Sequence, residues 1–354
     1  MRKYIAFAPG VFTTHYAKTA HGVIAYSDDL TVAVIDPELA GRNTREVAPH
    51  LGRDIPIVAS VREALAFSPT SLLIGLAPKG GALPKDWRDE IIIAIGAGLE
   101  IVSGLHEMLA DDPEFSAAAS NSGTSIWDVR KPPAVPIFSG KAFQLPACIL
   151  LTVGSDAASG KMTASLELVR AAKDRGVDAV FVPTGQTGIM IAGWGIAVDR
   201  VIADFISGAA EQLVEQASTR GDFLVVEGQG GINHPAYSAV TLGLLHGSAP
   251  DALLLVHDVS RESVAGFPNV PVLPLSNLVE LYEKLAGGVK PARVVGIALN
   301  TKGWSDEDAR KAVRRAEEET RLPVDDVVRF GPHALYDAIA PSIKKTSGAK
   351  MTPA

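Results

Sequence analysis

Residues 149–169 read ILLTVGSDAASGKMTASLELV. An apolar run leads into a turn of small residues, then Gly160-Lys161, then a helical pattern. This is the outline of a phosphate-binding loop: a buried strand, a turn whose N–H groups face inward, and a helix N-terminus that favours anions. Two departures matter. Five residues, not four, separate Gly154 from Gly160, and Met162 stands where a nucleotide hydrolase has Ser or Thr. The missing hydroxyl is the one that helps hold Mg²⁺ beside the β- and γ-phosphates. Thr163 is a poor replacement, because one step along a helix turns a side chain by about 100°. The cradle itself remains in Gly154, Ser155, Asp156, Ala158, Ser159, Gly160 and Lys161, with Met162 and Thr163 opening the helix. A cradle used only for holding suits a ligand whose phosphates do not react, and coenzyme A is such a ligand. The plain alternative is an ordinary strand–helix turn.

Outward from this loop, the chain reads as α/β in both directions. "YIAFA", "TVAVIDP", "IPIVAS" and "SLLIGLAP" read as strands in the first 130 residues, with "VREALAF" and "DEIIIAIGAGLEIVSGLHEML" as helices. Asp36 follows a strand, as the ribose-binding acid of a dinucleotide fold does. No G-x-G-x-x-G follows the first strand, however, so Asp36 is expected to close a turn. Residues 131–146 are rich in proline and read as a semi-rigid linker, with Trp127 and Arg130 in "IWDVR" expected to pin it by packing rather than to touch substrate. Residues 147–345 alternate strands and helices again, and 346–354 read as a frayed tail. The expected architecture is a C-terminal parallel sheet of the P-loop NTPase type with helices on both faces, preceded by a smaller Rossmann-like α/β domain.

Ligands of open α/β sheets bind at the carboxyl ends of strands, and those ends here are polar or glycine-rich. "VPTGQTGIMIAGWG" reads as a glycine loop that offers Gln186. "VVEGQGGINHPAYS" brings Glu227 to a strand end with several N–H groups after it, and His234 follows in the same loop. Glu227 is a candidate general base, metal ligand or helix cap. His234 is a candidate base or a structural residue. Arg261 in "LLLVHDVSRESVAGFP" could grip a carboxylate or pair with Asp258.

Composition closes off several classes. The 354 residues are 47% hydrophobic and 21% charged, ordinary for a globular enzyme, and the net charge of −7 opposes a general nucleic-acid binder. The single cysteine, Cys148, permits no internal disulfide, and no zinc spacing is present. No run approaches ~18 apolar residues, so no membrane span is expected, and the reading is a soluble cytoplasmic protein.

The stretches "VGSDAASGKMTASLEL", "FVPTGQTGIMIAGWGIAVDRVIADFISGAAEQLV" and "VVEGQGGINHPAYSAVTLGLLHGSAPDALLLVHD" resemble a bacterial and archaeal P-loop family long catalogued as of unknown function. That family includes the DgcN-type D-glutamate N-acetyltransferases. "AKTAHGVIAYSDDLTVAVIDPELAG" and "IWDVRKPP" resemble its N-terminal domain and linker, so the likeness spans nearly the whole chain. Dethiobiotin synthetase is a more distant fold relative, but it has Thr where this chain has Met162. The resemblance implies acetyl transfer from acetyl-CoA to the amine of D-glutamate, feeding a partner enzyme that acts on N-acetyl-D-glutamate. Under it, the loop holds the coenzyme phosphates, Glu227, His234 and Gln186 are the catalytic candidates, and Arg261, Lys18 and Lys79 are candidates for the substrate carboxylates. No metal site, nucleic acid or membrane is expected, and a homo-oligomer is. The alternatives are an ATP- and Mg²⁺-dependent ligase or kinase, and a nucleotide-regulated binding module.

Overall fold

The structure, a computed structural model, describes residues 1–76 and 83–347. The chain forms two compact units. The first is Met1–Pro132 with Gly185–Arg200, and the second is Pro133–Thr184 with Val201–Ala354. Among the described residues, no helix is long and apolar enough to cross a membrane.

The first unit is built on six parallel strands: β1 (Lys3–Phe7), β2 (Leu30–Ile35), β3 (Ile57–Val58), β4 (Ser71–Ile74), β5 (Glu100–Ser103) and β6 (Ile126–Asp128). Their order is β3-β2-β1-β4-β5-β6. Alternation along β1 shows why both faces must be covered. Tyr4 and Ala6 enter one buried cluster with Ala20 and Val23 of the Lys18–Tyr26 helix. Ile5 and Phe7 enter the other, with Ile91 and Ala94 of the Arg88–Gly96 helix. Asp36 closes a turn: its carboxylate accepts the N–H groups of Gly10, Phe12 and Glu38.

Three local expectations give way. The stretch 89–109 is not one helix, because the helix stops at Gly96 and Gly98 takes φ +82°, so the β-branched "EIVS" that follows becomes β5. "IWD", expected near the connector, is the edge strand β6 paired with β5. The expected glycine loop contains a helix, Gln186–Ala192, whose Ile189 and Met190 are buried in the core of the first unit.

The second unit has six parallel strands and a small hairpin. They are β7 (Cys148–Gly154), β8 (Ala179–Val182), β9 (Phe223–Val226), β10 (Ala252–Asp258), the hairpin β11 (Ser263–Val264) and β12 (Phe267–Pro271), β13 (Arg293–Asn300) and β14 (Val324–Asp325). The main sheet runs β14-β13-β10-β7-β9-β8. β7 lies inside the sheet and is buried at every residue, which is why "CILLTV" reads as an unbroken apolar run. The proline-rich stretch docks on the Ile206–Ser218 helix. Buried Glu211 accepts the Ser139 N–H (2.7 Å), the Ser139 hydroxyl (2.8 Å) and the Ala142 N–H (3.1 Å). Burial pushes the Glu211 carboxyl up, but these donors prevail and hold its pKa below the usual glutamate value.

Candidate active site

The loop 154–161 leaves the carboxyl end of β7 and enters the helix Lys161–Asp174. Gly160 at φ +108° makes the final turn, a conformation that disfavours any side chain, and Ala158 also takes a left-handed φ of 55°. Ser155, Asp156 and Ser159 are fully buried. Tyr282, also buried, ties the loop from outside: its hydroxyl donates to the Gly154 carbonyl (2.7 Å) and accepts the Ile232 N–H (3.0 Å). Burial raises the pKa of that phenol, so it stays protonated and able to donate. The Ser155 hydroxyl meets Nδ1 of His257, at the end of β10, at 2.9 Å. Burial lowers the pKa of His257 and favours its neutral form.

Lys161 is 5% exposed. Its Nζ donates to the carbonyls of Asp156 (2.8 Å) and Gly230 (2.7 Å) and reaches Ser159 Oγ at 3.3 Å. Burial lowers its pKa to about 8, against the opposing pull of the Asp156 and Glu227 charges. An ammonium resting on neutral carbonyls at the mouth of a helix can be recruited by an anion. These residues fit a phosphate group in charge and in donor supply. Met162 and Thr163 occupy the first turn of the helix and are half-buried. Among the described residues, no group of three or more His, Cys, Asp or Glu is arranged to hold a metal.

Glu227 follows β9 and is 5% exposed. Its Oε2 accepts the Thr184 N–H (3.0 Å), and its own carbonyl accepts the Thr184 hydroxyl (2.6 Å). The next residue, Gly228, passes so close to β7 that a Cβ there would lie 1.8 Å from the Thr152 carbonyl oxygen. That approach is what brings Glu227 within electrostatic reach of Lys161.

His234 is 1% exposed, stacked on Tyr237 and edge-on to Phe267. Its Nδ1 accepts the Ala236 N–H (3.1 Å), so Nε2 carries the proton and faces Asp156 Oδ1 at 3.9 Å. Asp156 also accepts the N–H groups of Ala157 and Ala265. Arg261 lies between two acids, 3.5 Å from Asp156 and 3.6 Å from Asp258. The structure thus gathers the loop, Glu227, His234 and Arg261 in the second unit. Gln186 and Lys18 belong to the first unit. Lys79 lies outside the described residues. Tyr282 and Thr184 were not singled out from sequence, whereas His257 stood out there by its place at a strand end, without a role.

Two family models match this chain. Residues 136–336 match the domain of unknown function described as the DUF1611_C P-loop domain, and residues 37–132 match the DUF1611_N Rossmann-like domain. A protein from a Pseudoalteromonas species named D-glutamate N-acetyltransferase is 39% identical over 278 residues, covering 78% of this chain and 83% of that protein. A protein of the same name from Tritonibacter scottomollicae is 36% identical over 283 residues, covering 79% of this chain and 84% of its own length. The crystal structure of a DUF1611 family protein from Anabaena variabilis ATCC 29413 is 43% identical. It superimposes with a TM-score of 0.91 over 96% of this chain and 100% of that one. On the strength of both halves of the fold, the chain belongs to the DUF1611 family.

Proposed function

We propose that this protein is an amino-acid N-acetyltransferase that moves an acetyl group from acetyl-CoA to the amine of D-glutamate. The observation that carries the reading is the similarity, over more than three quarters of the chain, to two proteins named D-glutamate N-acetyltransferase. The loop chemistry supports it. Lys161 and the N–H groups of 158–160 suit phosphates, and Met162 removes the hydroxyl that a nucleotide hydrolase uses for its metal.

Acetyl-CoA, when bound, supplies the activated acyl group. In this reading Lys161 and the loop hold its phosphates. D-Glutamate arrives as an ammonium and needs to lose a proton before it can attack. Glu227 is the better base of the two candidates in the second unit, because the Nε2 of His234 already carries a proton and lies buried against Asp156. The amine nitrogen then bonds to the thioester carbonyl carbon, the C–S bond breaks, and the leaving thiolate takes up the second proton that the nitrogen sheds. N–H groups of 229–231 suit the transient oxyanion, and loss of one such donor costs about 3 kcal/mol. The product would pass to an enzyme acting on N-acetyl-D-glutamate.

The test is calorimetry with acetyl-CoA and, separately, with ATP and Mg²⁺, followed by a thiol-release assay with D-glutamate. Acetyl-CoA binding, D-glutamate-dependent release of thiol, and loss of binding in Lys161→Ala are expected. Magnesium-dependent ATP binding without acetyl-CoA binding would overturn the reading in favour of a ligase or kinase. Unchanged coenzyme affinity in Lys161→Ala would remove the loop from the site.

A further inference from the structure

The first unit carries a group of cations that the loop chemistry does not use. Lys18 is the first residue of the Lys18–Tyr26 helix, which the Ala20 N–H to Gly75 carbonyl bond (2.8 Å) fixes at the carboxyl end of β4. Arg130 follows β6 and is 7% exposed. Its Nε donates to the Gly104 carbonyl (2.7 Å), just past β5, and its Nη1 pairs with Asp199. The Gln186–Ala192 helix joins the two. Thr187 Oγ1 lies 3.1 Å from Thr19 Oγ1, next to Lys18. Gln186 packs so closely on Gly104 that a Cβ there would meet its Cγ at 2.9 Å. The ends of β4, β5 and β6 and the starts of two helices therefore converge on one corner of a parallel sheet ordered β3-β2-β1-β4-β5-β6. In such sheets the carboxyl ends of the strands are where ligands bind.

The charges there are unbalanced. Asp199 answers Arg130, but among the described residues Lys18 has no acidic partner and Arg130 Nη2 makes no hydrogen bond. Lys18 itself is exposed, and partial desolvation, then the Arg130 charge, lower its pKa. The Thr19–Thr187 pair has two hydroxyl protons and uses one between them, leaving one to donate. What is present, then, is an ammonium, an unused guanidinium edge and a hydroxyl donor, all waiting for oxygen. We propose that Lys18, Arg130 and the Thr19–Thr187 pair form a carboxylate-binding site on the first unit, which recognises a carboxylate of the amino-acid substrate. This rests on the acyl-acceptor reading for the identity of the ligand, but not for the existence of the site.

The test is calorimetric titration of the full chain with glutarate, a dicarboxylate without an amine, and with D-glutamate. Wild type, Lys18→Met, Lys18→Arg and Thr187→Val are compared. Lys18→Met is expected to weaken both ligands by about tenfold or more, as loss of a charge-assisted hydrogen bond does. Lys18→Arg should retain most of the affinity, and acetyl-CoA affinity should stay unchanged in all three variants. Thr187→Val keeps shape while removing a donor, so it checks the site should Lys18→Met fold poorly. Wild-type affinity in both Lys18→Met and Thr187→Val, or no carboxylate binding by the wild type, would overturn the site. If glutarate binds as expected but no thiol is released with D-glutamate, the acyl-transfer reading fails and the site stands.

Discussion

Lys161 shows how one buried cation sets a pH response. Its ordinary pKa of 10.5 falls to about 8 because burial disfavours the ammonium. Between those two values the unfolded chain holds a proton at this side chain that the folded chain has lost. Stability therefore rises with pH across that window, and below about pH 8 the penalty of the buried ammonium is full and constant. The gain is roughly 3 kcal/mol at full shift. Denaturant midpoints should climb between pH 8 and 10.5 in the wild type more than in Lys161→Met; parallel curves would show that the ammonium is not penalised. An anion in the loop favours the charged form, so phosphate-ligand affinity should fall as pH rises through about 8, measurable by calorimetry at several pH values. Gly160, Lys161 and Glu227 were legible because each belongs to a contiguous strand–loop–helix text. Tyr282 was not, because it meets Gly154 across 128 residues of sequence and nothing local distinguishes it from a core tyrosine. Lys18 and Arg130 stood out singly, while their shared corner depends on which strands end side by side.

At the level of elements, the crossing of β7 and the end of β9 leaves no room for a side chain. Gly228 has no room for a Cβ against the Thr152 carbonyl, while its own N–H bonds the Thr152 hydroxyl at 2.9 Å. Gly228→Ala should destabilise the fold by at least about 2 kcal/mol and shift the strand end that carries Glu227. A chemical-denaturation midpoint equal to that of the wild type would show that the backbone yields easily there. Five strands of this sheet were legible as apolar runs because both faces are covered, while the two-residue edge strand β14 was too short to show. The Gln186–Ala192 helix was not. Gly188 within it and Gly185 and Gly193 at its two ends argue for a loop, and burial of Ile189 and Met190 in the core of the first unit outweighs that propensity. The "EIVS" strand was hidden for the opposite reason: an apolar helix runs into it with only glycine to mark the boundary.

For the whole molecule, the division into units does not follow the order of the chain. Residues Gly185–Arg200 belong with Met1–Pro132, and the buried Ile189, Met190 and Ala197 complete a core that also holds Phe12, Val23 and Val102. A fragment ending at Pro132 should therefore lack part of that core. We expect it to show poor amide-exchange protection in the Lys18–Tyr26 helix, and a peptide of residues 185–200 added in trans to restore it. A fragment 1–132 with native-like protection on its own would contradict this. There is also a consequence for synthesis. Domains commonly fold in turn as they leave the ribosome. Here the amino-terminal unit is finished only after translation has passed Arg200, by which time β7 and β8 of the next sheet have already emerged. The nascent chain carries a first sheet with an incomplete core and an unfinished second sheet at once, and the loop around Lys161 is made before the first unit can close.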